Sequence, residues 1–230
     1  QQGFAAGRLV AVLLADQQHR GPPGSPKRGR IGAAITAEIE DMAGADCVEA
    51  LDLAWKNDLC ARMKAFKRGD TYHLFGRYYL PRETAQKPQN KHLAQWAREG
   101  WITLHDAPNV DFRIVADEMF DDYTKHGMAG IVYDAAHAQF VVSDLQERGV
   151  TAVEAYSNQT ARAEEWVVKF DALYREGNIK HNGDPVLAWA IANCVGRKGR
   201  RGLVWLDKPE GQHHQKIDPA VAAVMAVGLF

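Results

Sequence analysis

A mixed α/β fold is predicted, with an antiparallel meander leading into parallel strands and helices on both faces of one sheet. Three observations predict it. First, three strand-like runs at 48 to 55, 59 to 66 and 71 to 80 are separated only by turn chemistry, Lys56-Asn57-Asp58 and Arg68-Gly69-Asp70. Second, strand-like and helical runs alternate after residue 128, the pattern of parallel pairing. Third, helical stretches stop at Gly100, Gly127, Gly149 and Gly177, as C-terminal signals require.

The elements follow in order. Residues 3 to 16 are Ala, Leu and Val rich and predict a helix, and Arg20 to Arg30 is a Pro/Gly/basic linker. With a short helix at 34 to 44, residues 1 to 46 read as an N-terminal arm and linker, and residues 47 to 230 as the domain. Pro81 ends the meander. One helix is expected at 83 to 99 and another at 111 to 126. The strand Gly130-Ile131-Val132-Tyr133-Asp134 precedes a helix at 135 to 148. A strand at 150 to 156 and a helix at 160 to 176 follow. A helix at 185 to 195 opens on Asp184-Pro185. Strands at 203 to 206 and 213 to 217 predict a hairpin, and a last helix runs from Pro219. Three meander strands followed by strand-helix-strand is the order of a ribonuclease H-like sheet.

Composition narrows the function. The 230 residues are 46% hydrophobic and 25% charged, ordinary for a globular protein. A net charge of −1 excludes a global basic field, so any nucleic-acid surface must be local. Three scattered cysteines, Cys47, Cys60 and Cys194, give neither a disulfide framework nor zinc spacing. No apolar run approaches the roughly 20 residues that span a bilayer, and no basic-then-apolar leader is present. A chain neither secreted nor membrane-bound is expected. It begins with Gln1 rather than Met, as a piece of something longer would.

Asp52 is the residue that most needs an explanation. On the alternating run Val48 to Trp55, Leu51, Leu53 and Trp55 share one face, and Ala50, Asp52 and Ala54 share the other. Aspartate is disfavoured inside a strand, and a covered carboxylate is costly without a partner. A divalent cation is one good partner. Asp134 ends the central strand and Asp218 opens the last helix. In the expected sheet these three carboxylates converge and hold two Mg2+ or Mn2+ ions, which clamp the attacking water and the leaving oxygen of a phosphodiester. Two carboxylates at about 4 Å repel by roughly 4 kcal/mol at an effective dielectric of 20, so structure alone is a weak reason for such a trio.

Plainer readings stand beside these. Asp134 and Asp218 each precede a helix, where Asp is a favoured N-cap, and Asp184 reads as a cap only. Asp58 suits a turn, with a metal role as the sharper alternative. The run Gly196-Arg197-Lys198-Gly199-Arg200-Arg201 is a solvated turn or a grip on phosphates, with Arg197, Lys198, Arg200 and Arg201 as contacts. Lys216 would share a strand face with Asp218 and neutralise phosphate charge. His181 and His214 are surface or core histidines, or auxiliaries that move protons. The tryptophans Trp96, Trp101, Trp166, Trp189 and Trp205 read as core.

Four segments together, Leu51 to Leu59, Tyr133-Asp134, His181 to Trp189 and Lys216 to Ala222, resemble the C-terminal nuclease domain of the large terminase subunit of tailed bacteriophages. The resemblance covers roughly residues 45 to 230. It implies a ribonuclease H-like endonuclease that cuts concatemeric viral DNA during packaging, in the host cytoplasm. Double-stranded DNA, the small terminase subunit and the portal are the implied partners. Metal-binding acids at Asp52, Asp134 and Asp218, and near Asp58, are implied as well. The family's full subunit carries an ATPase ahead of the nuclease, and no Walker motif stands here. Residues 1 to 46 match nothing in it, and Leu51 replaces the small residue often found before the first acid. A resolvase- or transposase-type nuclease, or a non-catalytic DNA clamp of a packaging complex, are the competing readings.

Overall fold

The computed structural model describes residues 38–54, 58–198, 203–211 and 215–230. The expected helix at 3 to 16, the linker at 20 to 30, and Trp55, Arg200, Arg201, His213 and His214 lie outside them. Of the helix expected at 34 to 44, a single 3-10 turn is described, Ile39–Met42.

The meander is present. Strands β1 (Asp46–Asp52), β2 (Cys60–Arg68) and β3 (Thr71–Pro81) pair antiparallel, with Asp52 opposite Ala61 and Ala61 opposite Tyr78. Strand β5 (Gly130–Asp134) runs parallel to β1, with Leu51 opposite Tyr133, and β6 (Val153–Tyr156) runs parallel beyond it. With β4 (Ile102–His105) the order is β4-β3-β2-β1-β5-β6. The long strand β3 offers its outer edge twice. Tyr72 to Leu74 take β7 (Ile179–His181) and Tyr78 to Pro81 take β4.

Helices cover both faces. On one face Leu51, Leu53, Cys60, Tyr79 and Ile131 meet α3 (Phe112–His126) and α4 (Gln139–Glu147). On the other, Val48, Ala50, Ala61, Met63, Ala65 and Val132 lie under α5 (Ala161–Arg175), α6 (Pro185–Asn193) and α7 (Asp218–Leu229). The period-2 alternation of β1 sends Ala50 and Leu51 to opposite cores. Helix α7 is apolar all round and buried nearly all round, as such a helix must be. It crosses β2, β1, β5 and β3. Its Ala220, Ala222, Ala223 and Ala226 meet Ala50, Ala61 and Ala65, and small side chains on both sides let helix and sheet approach closely. Gly228 is part of the same fit, because a Cβ there would sit 2.2 Å from the Trp166 ring.

The face under α3 also carries buried charge. Arg62 Nε donates to Glu49 Oε1 at 2.9 Å, and its other nitrogens reach Tyr79 Oη, Glu118 and Asp122 at 3.0, 3.1 and 2.6 Å. Lys64 Nζ meets the same Asp122 carboxylate at 2.7 Å.

Several boundaries differ from expectation for identifiable reasons. Pro88 breaks the stretch at 83 to 99 into α1 (Arg82–Ala85), a 3-10 turn at Pro88–Asn90 and α2 (Lys91–Arg98), since proline supplies no N–H to continue a helix. The short edge strands β4 and β7 stand where the sequence pattern predicts no strand. The helix expected at 135 begins at Gln139, after a turn in which His137 takes φ 68°. The expected pairing of 203 to 206 with 213 to 217 is replaced: β8 (Val195–Lys198) pairs with β9 (Val204–Asp207), and α6 therefore stops at Asn193. Of the tryptophans, Trp166 is buried, and Trp96, Trp101 and Trp189 are half-buried against the same core.

Candidate functional site

Asp52 and Asp134 are the last residues of adjacent parallel strands. The last β1–β5 pair joins their preceding neighbours, Leu51 and Tyr133. The carboxyl ends of parallel strands are where α/β sheets place their ligands. Asp52 stands two residues past Ala50 and Asp134 two past Val132, so both share the face that α7 crosses. Asp218 is the first residue of α7. Strand, strand and helix start thus bring three acids from distant parts of the chain to one edge of the sheet.

Electrostatics records how close they are. The Asp52 carboxyl is pushed well above the usual carboxylate range by burial first, then by Asp218, Asp134 and Asp58. Asp218 is raised to about 7, by burial and then by Asp58, against the opposing pull of Lys208 and Lys216. Tyr156, paired to Asp134 across β5 and β6, is pushed up to about 12 by burial, Asp134 and Asp52. All four acids remain half-buried rather than sealed, which leaves them open to a solvent-borne ligand.

Neither Asp134 nor Asp218 caps a helix. Asp134 Oδ1 accepts from Ala136 N at 2.8 Å within the turn after β5. The residue capping α7 is Ile217, and Asp218 Oδ2 is a buried oxygen with no hydrogen-bond partner. Asp184 is a cap, accepting from Val186 N and Leu187 N at 2.8 and 3.0 Å, and Tyr78 Oη also donates to it at 2.5 Å.

Asp58, in the loop between β1 and β2, is held by cations. Its Oδ1 lies 2.8 Å from Lys216 Nζ and its Oδ2 lies 3.4 Å from Lys208 Nζ. Lys216 is buried, and its ammonium is on Asp58. Lys208 went unnoticed in the sequence, where Lys208-Pro209-Glu210 carries no motif. The cluster therefore sets four carboxylates, Asp52, Asp58, Asp134 and Asp218, against two lysines.

The remaining candidates spread outward. Arg197 and Lys198 are exposed on β8, and Arg197 is paired with Asp207 across the hairpin. His181 ends β7 and is buried beside Asp184. Three strand spacings, roughly 14 Å, separate β7 from β1.

Among the described residues, no group of three or more Asp, Glu, His or Cys side chains is placed so as to hold a metal ion as it stands. The chemistry nevertheless suits a hard divalent cation. The donors are all carboxyl oxygens, one buried oxygen lacks a partner, and four acids face two lysines. No described helix is long and apolar enough to cross a membrane.

Comparison with known proteins agrees with this architecture. The family model for the terminase large subunit, endonuclease domain, matches residues 30–230. The chain is 29% identical over 208 residues to Protein YmfN of Escherichia coli K12, covering 83% of this chain and 44% of that protein. Its structure is similar to the large terminase of bacteriophage HK97, with TM-score 0.72 and 22% identity over 90% of this chain and 44% of that one. It is also similar to the large terminase nuclease of thermophilic phage G20c solved with bound magnesium, with TM-score 0.53 and 10% identity over 80% of this chain and 81% of that one. The chain spans less than half the length of YmfN and of the HK97 subunit. At these identities the solved structures establish the ribonuclease H-like fold, and the family match, which takes in every strand of the sheet, establishes that this chain belongs to the terminase large subunit endonuclease domains.

Proposed function

We propose that this domain is a metal-dependent endonuclease that hydrolyses double-stranded DNA during viral genome packaging, with Asp52, Asp134 and Asp218 as its metal-holding residues. One observation carries the reading: at one sheet edge Asp218 on α7 and Asp134 on β5 raise the proton affinity of the buried Asp52 on β1, and only two lysines face the four acids there. The G20c nuclease, solved with bound magnesium and separately with cobalt, supports a divalent ion in the same fold. A pair of Mg2+ or Mn2+ ions bound there would activate water for in-line attack and stabilise the leaving 3′ oxygen.

This chain's residues would divide the remaining work. Asp52 and Asp134 are fixed at strand ends and Asp218 at a buried helix start, so the donors are held without side-chain searching. Arg197 and Lys198 on β8, with Arg200 and Arg201 next in the sequence, would hold phosphates without reading sequence. Lys216 would hold the Asp58 side chain in place through their ion pair. Asp58 itself and His181 and His214 are auxiliaries at most in this scheme. The small terminase subunit and the portal are the proposed partners, in the host cytoplasm.

The test is incubation of supercoiled plasmid with Mn2+, using wild type and Asp134→Asn. Nicking by wild type and not by the variant is the expected result. Salt-sensitive DNA binding without nicking would point to a clamp, and strand joining to a transposase-type enzyme.

A further inference from the structure

The acid cluster has a resident partner on the β8–β9 hairpin. Lys208 follows β9 directly, and its Nζ lies 3.4 Å from Asp58 Oδ2. The hairpin base is tied to it: Asp207 pairs with Arg197 through one oxygen, and through the other accepts from Lys208 N at 2.8 Å. Lys216 Nζ holds the second Asp58 oxygen at 2.8 Å. The two lysines differ in setting. Lys216 is buried, and its backbone carbonyl accepts from Asn193 Nδ2 at 3.0 Å. The Lys208 side chain keeps a quarter of its surface exposed.

We propose that Lys208 is a counter-ion of the cation-free site, which a divalent ion bound between Asp52, Asp134 and Asp218 must work against, so that metal loading and the seating of the β8–β9 hairpin oppose each other. A cation seated on Asp58 and a divalent ion held by the acids beside it repel each other. Lys216, whose ammonium shares the Asp58 carboxylate with Lys208, stands two residues before Asp218, which sets the Lys208 charge beside the start of α7. The released ammonium, with Arg197 and Lys198 on the same hairpin, would then be free to meet a DNA phosphate. By linkage, whatever holds the hairpin down weakens metal binding to the same degree.

This rests on the metal-binding reading above, and the experiment separates the two. Mn2+ affinity is measured by the loss of free-ion EPR signal for wild type, Asp134→Asn, Lys208→Met and Lys208→Arg, with circular dichroism to check folding. Absence of Mn2+ binding by wild type would overturn the metal reading itself. Given binding, Lys208→Met is expected to tighten it by roughly tenfold at low salt, with Lys208→Arg close to wild type. An unchanged or weaker affinity in Lys208→Met would overturn the proposal and leave Lys208 as a structural pin. Should Lys208→Met fail to fold, Lys208→Gln carries the same comparison. As an activity-free check, amide exchange in β9 should quicken about twofold or more when Mn2+ is added to wild type, and no change there also counts against it.

Discussion

The two faces of the sheet bury carboxylates on the same strand, three residues apart, and treat them in opposite ways. Under α3, Glu49 is answered by Arg62, and the surrounding Glu118, Asp122 and Lys64 close the set of ion pairs. Under the start of α7, Asp52 is surrounded by three more acids and too few lysines. Glu49 is also pushed up by burial, but Arg62 and Lys64 pull it back. A paired buried charge serves the fold, and an unpaired set spends fold stability on something else. The difference marks the second set, and not the first, as the candidate site without reference to any relative.

The comparison can be broken most severely at Asp134. Asp134→Asn is expected to lower Mn2+-dependent nicking by about a hundredfold or more, read from plasmid gels, because electrostatic stabilisation in a site is worth at least that much. A nicking rate within a few-fold of wild type would make the acids idle. The paired face should respond in stability instead. Arg62→Met leaves Glu49 buried without its partner and should cost about 3–5 kcal/mol in urea unfolding, with loss of nicking only in proportion to unfolding.

Acidity sharpens the contrast. Asp218 has a raised value in the fold, about 7, against an unfolded value near 3.8. The folded state therefore holds more protons across that window, and its stability falls as pH rises through it. In chelator, wild type should gain on the order of 1–2 kcal/mol between pH 8 and pH 5 relative to Asp218→Asn, measured by urea unfolding at each pH. Equal slopes for the two proteins would deny the crowding of acids.

A smaller effect is expected at Asp52. Asp52→Asn in chelator should be at least as stable as wild type, by about 1 kcal/mol, because it removes repulsion. A large loss of melting temperature would return Asp52 to a structural role. Smallest is Lys198→Ala, expected to weaken DNA binding uniformly across sequences and to lower the salt slope by about 1.

The sequence made some of this legible and hid the rest for physical reasons. Asp52 stood out because its alternation with Ala50 and Ala54 gave a strand and its side chain contradicted it. The meander was legible because Arg68-Gly69-Asp70 is local turn chemistry. Asp134 and Asp218 were visible as acids at element ends, and capping was the local explanation. Their meeting depends on β1 and β5 lying side by side, a pairing between residues some eighty apart in the chain. The Glu49–Arg62–Asp122 network was invisible for the same reason, since its partners lie on three elements. Strands β4 and β7 are too short for a periodic signal, and both exist only because β3 offers them an edge. The hairpin differs from expectation because β8 takes Val195 from the end of the expected helix and Gly196, Arg197 and Lys198 from the expected basic turn.

Helix α7 sets a limit on how this domain can be controlled. Val224, Met225 and Val227 are sealed in the core, and fully burying such side chains is worth roughly 1.5–3 kcal/mol each. Retracting Asp218 would drag this helix out of place and take the central packing with it. Any timing of the proposed DNA cutting must therefore act on what reaches the acids, through ions, the hairpin or a neighbouring subunit, while the carboxylate at the helix start stays where it is.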